Sequence, residues 1–177
     1  LSIMAGVKMH TIGLKLEHKK LIRVMPNTPA QIRKGISAWT ASKEVDRPTL
    51  DFVKDMLQAI GDEIRFTDEK NIDVATALSG SGPGYVFVFI EALTDAGVEL
   101  GLPVQTARDL ASQTVLGSAA LQRESGEHPA ELRNMVTSPG GTTAAGLASL
   151  ENGGFRGIIA DAVRAAFERG EDLAGGK

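Results

Sequence analysis

The chain has 177 residues, 42% of them hydrophobic, which is short for two full domains and ample for one buried core. Its 19 basic and 22 acidic residues leave a formal net charge of −3, and no basic run stands out, so a nucleic-acid surface is not expected. There is no cysteine, which excludes disulfides and thiolate catalysis and permits a reducing compartment.

In chain order, residues 1 to 67 mix short β-like runs with helical ones. "LSIMA", "LIRVMP", "ISAWTA" and "EIRFT" read as strands. Between them, residues 46 to 59 place Leu50, Val53, Met56, Leu57 and Ile60 at helical spacing. This is an α/β segment. A chain that opens on "LSIMAG" starts in strand-like sequence, and we expect the N-terminal part of the natural protein to be missing from it.

From residue 68 onward the texture changes. Helical runs are predicted at 69–78, 84–100, 104–124, 129–136, 142–151 and 155–173, with Pro83, Pro103, Pro129 and Pro139 near starts and Gly101, Gly126 and Gly153 near ends. The longest apolar run, "YVFVFI" at 85 to 90, is far below the roughly 20 residues of a membrane span. It is nevertheless apolar all the way round a helix, so it must be enclosed. A second copy covering the free face is the economical solution, and the central helix of a monomeric bundle is the alternative.

Three glycine-rich or proline-rich turns are candidates for chemistry. In "TSPGGTT", residues 137 to 143, Ser138 and Pro139 read as the N-cap and first position of a helix, which puts Gly140 and Gly141 in its first turn. Glycine there costs about 1 kcal/mol relative to alanine, but it leaves backbone N–H groups open to an anion at the positive end of the helix dipole. A carboxylate or phosphate cradle and a tight interhelical turn fit those residues equally well. "SGSGPGY", residues 79 to 85, lacks the dinucleotide spacing, because Tyr85 stands where the third glycine would be; it reads as a turn between helices. "MPNTPA", residues 25 to 30, follows an apolar strand and sets Asn27 beyond its carboxyl end, where ligands of open α/β sheets bind. His10, His18 and His128 have no partner at metal-ligand spacing, so no metal site is expected, and Glu69 reads as a dipole-favoured residue at the start of a helix.

Together, "RVMPNTPA" (23–30), "ALSGSGPGYVFVFIEAL" (77–93), "VTSPGGTTAAGLASLE" (136–151) and "GGFR" (153–156) resemble the pyrroline-5-carboxylate reductase family, in its order and approximate spacing. The resemblance implies an α/β then all-α chain. Residues 1–67 would be the C-terminal strands and helices of a Rossmann-type dinucleotide-binding domain, and 68–177 an all-helical dimerisation and substrate-binding domain. It further implies a cytoplasmic oxidoreductase of proline biosynthesis that uses NADPH or NADH to reduce the C=N bond of 1-pyrroline-5-carboxylate to L-proline. The implied assembly is a homodimer, open to a higher oligomer of dimers.

On that resemblance the "SPGGTT" turn holds the substrate carboxylate through Ser138, Gly140, Gly141, Thr142 and Thr143, and the Thr143 hydroxyl bonds the ring nitrogen as the catalytic group. Met4, Ala5, Gly6 and Asn27 would lie near the nicotinamide, and Glu69 near both substrate and cofactor. Two departures are visible. Gly84 stands where the family usually has alanine, and no G-x-G-x-x-G opens the chain, so these 177 residues alone are expected to be inactive. The alternatives are a non-catalytic helical dimerisation module and a related dehydrogenase for another small carboxylated imine.

Overall fold

A computed structural model describes residues 1–175 and divides them into two compact units. The first holds residues 1–84 and the C-terminal stretch from Ala160, and the second holds Tyr85–Ile159.

The first unit is built on strands β1 (Ile22–Met25), β2 (Gly35–Ala41) and β3 (Gly61–Arg65), in that order across the sheet. β1 runs antiparallel to β2, and β2 parallel to β3. The crossover from β2 to β3 is α2 (Arg47–Gln58), within the predicted 46–59. Asp46 caps it by accepting the Thr49 N–H (3.0 Å) and hydroxyl (2.7 Å), and Pro48 pre-sets its first turn. Val53 and Leu57 of α2 close on Ile22, Val24, Trp39 and Val45. Successive strand residues face opposite sides, so Met25 and Ala38 pack with Ile72 of α3 (Lys70–Ala75) in a second cluster. The sheet is therefore covered on both faces, as its almost uninterrupted burial in β1 and β2 requires.

Two local expectations change. "LSIMA" is not a strand: only Ser2 pairs, in a parallel bridge with Arg23, where its N–H donates to Ile22 O and its carbonyl accepts from Val24 N, both at 2.8 Å. The following residues contain a helix not anticipated from the sequence, α1 (Met9–Leu16). Met9, Ile12 and Leu16 have helical spacing, but Gly13 interrupts the run, no side chain at Lys8 caps it, and Ile12 is its one buried residue.

α3 runs on into a wide five-residue turn, Thr76–Gly80, in which Ser81 N–H reaches back to Thr76 O at 2.8 Å. α4 (Gly82–Glu99) starts directly after it, with Pro83 in its first turn. α5 (Val104–Ser125), α6 (Pro129–Met135), α7 (Thr142–Asn152) and α8 (Phe155–Gly175) follow at the predicted places. In the second unit α4 and α5 approach closely at Gly97, where an added Cβ would stand 3.1 Å from that of Ala107, and Phe89 packs on Phe155 with ring centroids 6.1 Å apart.

Burial in that unit is sparse. Ala107, Ala111 and Thr94 are buried, whereas Phe87 (61% exposed), Val88, Leu116 and Ile158 stand open. Tyr85–Ile159 has helices but little core of its own. Among the described residues no helix is long and apolar enough to cross a membrane.

Candidate active site

The "SPGGTT" turn differs from its sequence reading in a way that sharpens its chemistry. Ser138 and Pro139 do not start the helix: α7 begins at Thr142, and its N-cap is Gly141. Ser138 to Gly141 form a separate tight turn in which Gly141 N–H donates to Ser138 O at 3.0 Å. Pro139 in second place and Gly140 at φ +71° in third are the arrangement of a type II turn. The glycines are thus in the turn and the cap, and the helix does not suffer them.

Gly140 is required by its left-handed backbone. Gly141 is required by space, since a Cβ there would fall on Ser138 Oγ and stand 3.1 Å from Ser138 O. The Gly141 N–H, expected to be open, is taken by the turn. What the turn presents instead is the start of an eleven-residue helix, where the N–H groups of Thr142, Thr143 and Ala144 have no carbonyl before them to bond. Thr143 is half-buried in that first turn. Three convergent donors, a hydroxyl and the helix dipole make a seat for one small anion.

The remaining candidates lie in the first unit. The parallel bridge at Ser2 sends the Met4–Gly6 turn out of the same edge of the sheet as the Pro26–Asn27 turn that follows β1. Met4 and Ala5 are exposed there, with the Met4 N–H donating to Ser2 Oγ at 3.3 Å, while Gly6 is buried at φ +70°. An added Cβ on Gly6 would approach Leu173 Cβ of α8 to 2.9 Å. Asn27 uses its Oδ1 to accept the Ile36 N–H at 2.9 Å, tying the end of β1 to the start of β2.

Glu69 acts differently from its sequence reading. Its carboxylate does not cap its own helix; Oε1 accepts the N–H of Met9, the first residue of α1 and sixty positions away, at 2.7 Å. The same oxygen takes Arg23 Nη1 at 3.1 Å, and Arg23 Nη2 reaches Asp73 at 2.8 Å. Arg23 is wholly buried, and its Nε has no partner. Neither Arg23 nor Asp73 was singled out from the sequence. The available signal was a lone cation inside "LIRVM", because an arginine in a fully buried strand needs carboxylates brought to it.

His10 and His18 are exposed, and His128 caps α6 by accepting the Ala130 N–H on Nδ1 at 3.1 Å. No cluster of three or more metal-ligating side chains occurs among the described residues.

The family model for pyrroline-5-carboxylate reductase dimerisation matches residues 69–173. The chain belongs to the pyrroline-5-carboxylate reductase family. A relative of that name from Synechocystis is 47% identical over 173 residues, covering 98% of this chain and 64% of the relative, and one from Pisum sativum is 44% identical with 98% and 63% covered. The chain therefore spans a little under two thirds of the length of these curated relatives. Among solved structures, pyrroline carboxylate reductase from Plasmodium falciparum with NADP bound superposes with a TM-score of 0.93 at 36% identity, covering 98% of this chain and 70% of that one. Pyrroline-5-carboxylate reductase from Coxiella burnetii superposes at 0.91 with 38% identity, covering 96% and 63%. The α/β-then-helical organisation is that of the family, with the sheet as the closing part of a Rossmann-type fold.

Proposed function

We propose that this chain is the larger part of a pyrroline-5-carboxylate reductase, in which residues 1–67 close the dinucleotide-binding domain and 68–177 form the helical domain that dimerises and binds substrate. The observation that supports the reading is the start of α7, where three N–H groups without a preceding carbonyl and Thr143 share the first turn, a pattern suited to a carboxylate.

On this reading the substrate carboxylate sits on the N–H groups of Thr142, Thr143 and Ala144. Gly140 and Gly141 keep side chains away from it, and Ser138 and Thr142 line the turn with hydroxyls. The Thr143 hydroxyl meets the ring nitrogen, where it can donate to the amine that forms. Little other acid–base apparatus is needed, because a protonated imine is already an electrophile. The exposed residues Met4 and Ala5, with Gly6 and Asn27 at the carboxyl ends of the strands, fit the nicotinamide half of NADPH or NADH. When bound, that group supplies the hydride. The residues that would choose between the two nucleotides at the ribose are absent from the motifs found here.

The homodimer belongs to the same proposal. Phe87, Val88, Leu116 and Ile158 are open in one copy, and burying each stabilises by about 1.5–3 kcal/mol. A second copy of the same helices supplies the missing core, with higher assembly of dimers open to it and a cytoplasmic location in keeping with the absence of cysteine.

A substrate panel on the full-length gene product tests the reading. We expect NAD(P)H oxidation with 1-pyrroline-5-carboxylate, a much weaker response to 1-pyrroline, which lacks the carboxylate, and L-proline as product. Preference for a larger-ring carboxylated imine would make it the related dehydrogenase. No turnover with any imine would leave the helical dimerisation module.

A further inference from the structure

The loop that carries the candidate nicotinamide contacts is pinned at three points. At its start, Ser2 is paired into the sheet with Ile22 and Val24. In its middle, Gly6 lies so close to the end of α8 that a Cβ would meet Leu173 Cβ at 2.9 Å and Gly170 O at 3.3 Å. At its end, the Met9 N–H is held by Glu69 Oε1.

Resting on the reductase reading, we propose that Glu69 and Arg23 are positioning residues for that loop: Arg23 aims the Glu69 carboxylate, and the carboxylate fixes Met9 and so the course of Met4–Lys8 beside the nicotinamide. Glu69 then acts on the cofactor through the loop, without touching substrate.

The chemistry of the network supports this role over plain stabilisation. A buried guanidinium is a costly way to hold three elements together, and apolar side chains of similar size would do it as well. What an ion pair adds is direction. Arg23 presents Nη1 and Nη2 as a planar fork, one arm to Glu69 and one to Asp73, so the Glu69 carboxylate is fixed from α3 while its Oε1 points at the first N–H of α1. Asp73 holds the other arm of Arg23, and through it is linked to the Glu69 carboxylate and the loop. The carboxylate also sits at the N-terminus of α1, the end of that helix at which negative charge is favoured.

The test uses full-length protein carrying Glu69→Gln, Asp73→Asn and, as a control that loosens a different helix, Asp46→Ala. Amide hydrogen exchange reads the loop without reference to activity, and kinetics read its consequence. We expect exchange at Met9 and across 4–9 to be on the order of tenfold faster in Glu69→Gln and faster, by less, in Asp73→Asn, with the loop unchanged in Asp46→Ala. The KM for the reduced nucleotide rises several-fold in both network variants, while the KM for the imine moves less.

Wild-type exchange across 4–9 in Asp73→Asn would overturn the proposal, and this arm stands even if Glu69→Gln fails to fold. An equal loosening of the loop in Asp46→Ala would overturn it too, by showing general destabilisation. So would a Glu69→Gln enzyme with an unmoved loop and a raised imine KM, which would put Glu69 on the substrate. A wild type that turns over no imine would sink the reductase reading, while the exchange arm would still decide the loop.

Discussion

Gly140 holds φ +71° and Gly141 has no room for a Cβ, so the two glycines of one turn resist substitution for different reasons. Gly140→Ala forces a left-handed backbone on an L-residue, at a cost of about 1–2 kcal/mol. Gly141→Val pushes Ser138 off the turn and covers the N–H groups of α7. In the full-length protein we expect Gly141→Val to raise the imine KM by about tenfold or more, or to abolish turnover, with the nucleotide KM unchanged; steady-state kinetics check both. Thr143→Ala should lower kcat by about tenfold, the worth of one hydrogen bond made as charge leaves the ring nitrogen, and leave the imine KM nearly as it was. Asp46 carries a pH dependence of its own. The Thr49 hydroxyl first, then Lys20 and the Thr49 N–H, hold its carboxyl well below the usual carboxylate range. Its contribution is therefore complete above the unfolded value near pH 4 and fades as pH falls below that. The difference in unfolding midpoint between wild type and Asp46→Ala should accordingly be largest near pH 7 and shrink toward pH 3, and it should be small, because the pair with Lys20 is exposed.

At the scale of elements, what could be read locally was read well. α2 announces itself by Asp46, Pro48 and an apolar stripe, α4 and α5 by a proline at the start and a glycine just past the end, and α6 by Pro129. Ser138–Pro139 imitates a helix start just as well, and the true start lies a few residues later, since Ser138 closes a type II turn with Gly141 instead. α1 was illegible for a non-local reason: the carboxylate that satisfies its first residue comes from Glu69, in another part of the chain. The same is true of Arg23, whose partners are 46 and 50 positions away. The α4 helix shows the converse. Its all-round apolar sequence called for enclosure, and the fold leaves Val86, Phe87 and Val88 open; on the proposed function a second copy covers them. We expect sedimentation of the wild type to show a dimer that persists at micromolar dilution, and Phe87→Asp to shift it to monomer or to prevent folding. A folded wild-type monomer at that dilution would refute the helix-to-helix dimer.

For the whole molecule, the proposed function gives each unit its own task. On that proposal the Met4–Gly6 loop and Asn27 of the first unit take the nicotinamide, and the N–H donors at the start of α7 with Thr143 of the second take the carboxylated imine. Family membership rests on residues 69–173 and on relatives matched over nearly the whole chain. The division of labour between the two sites is the claim that chemistry can examine directly. The measurement is isotope transfer by the full-length gene product, using reduced nucleotide carrying deuterium at both hydrogens of nicotinamide C4 and 1-pyrroline-5-carboxylate, with the product read by mass spectrometry. We expect L-proline carrying a single deuterium on the carbon that had been doubly bonded to nitrogen. Proline without label, or no proline at all, would contradict it.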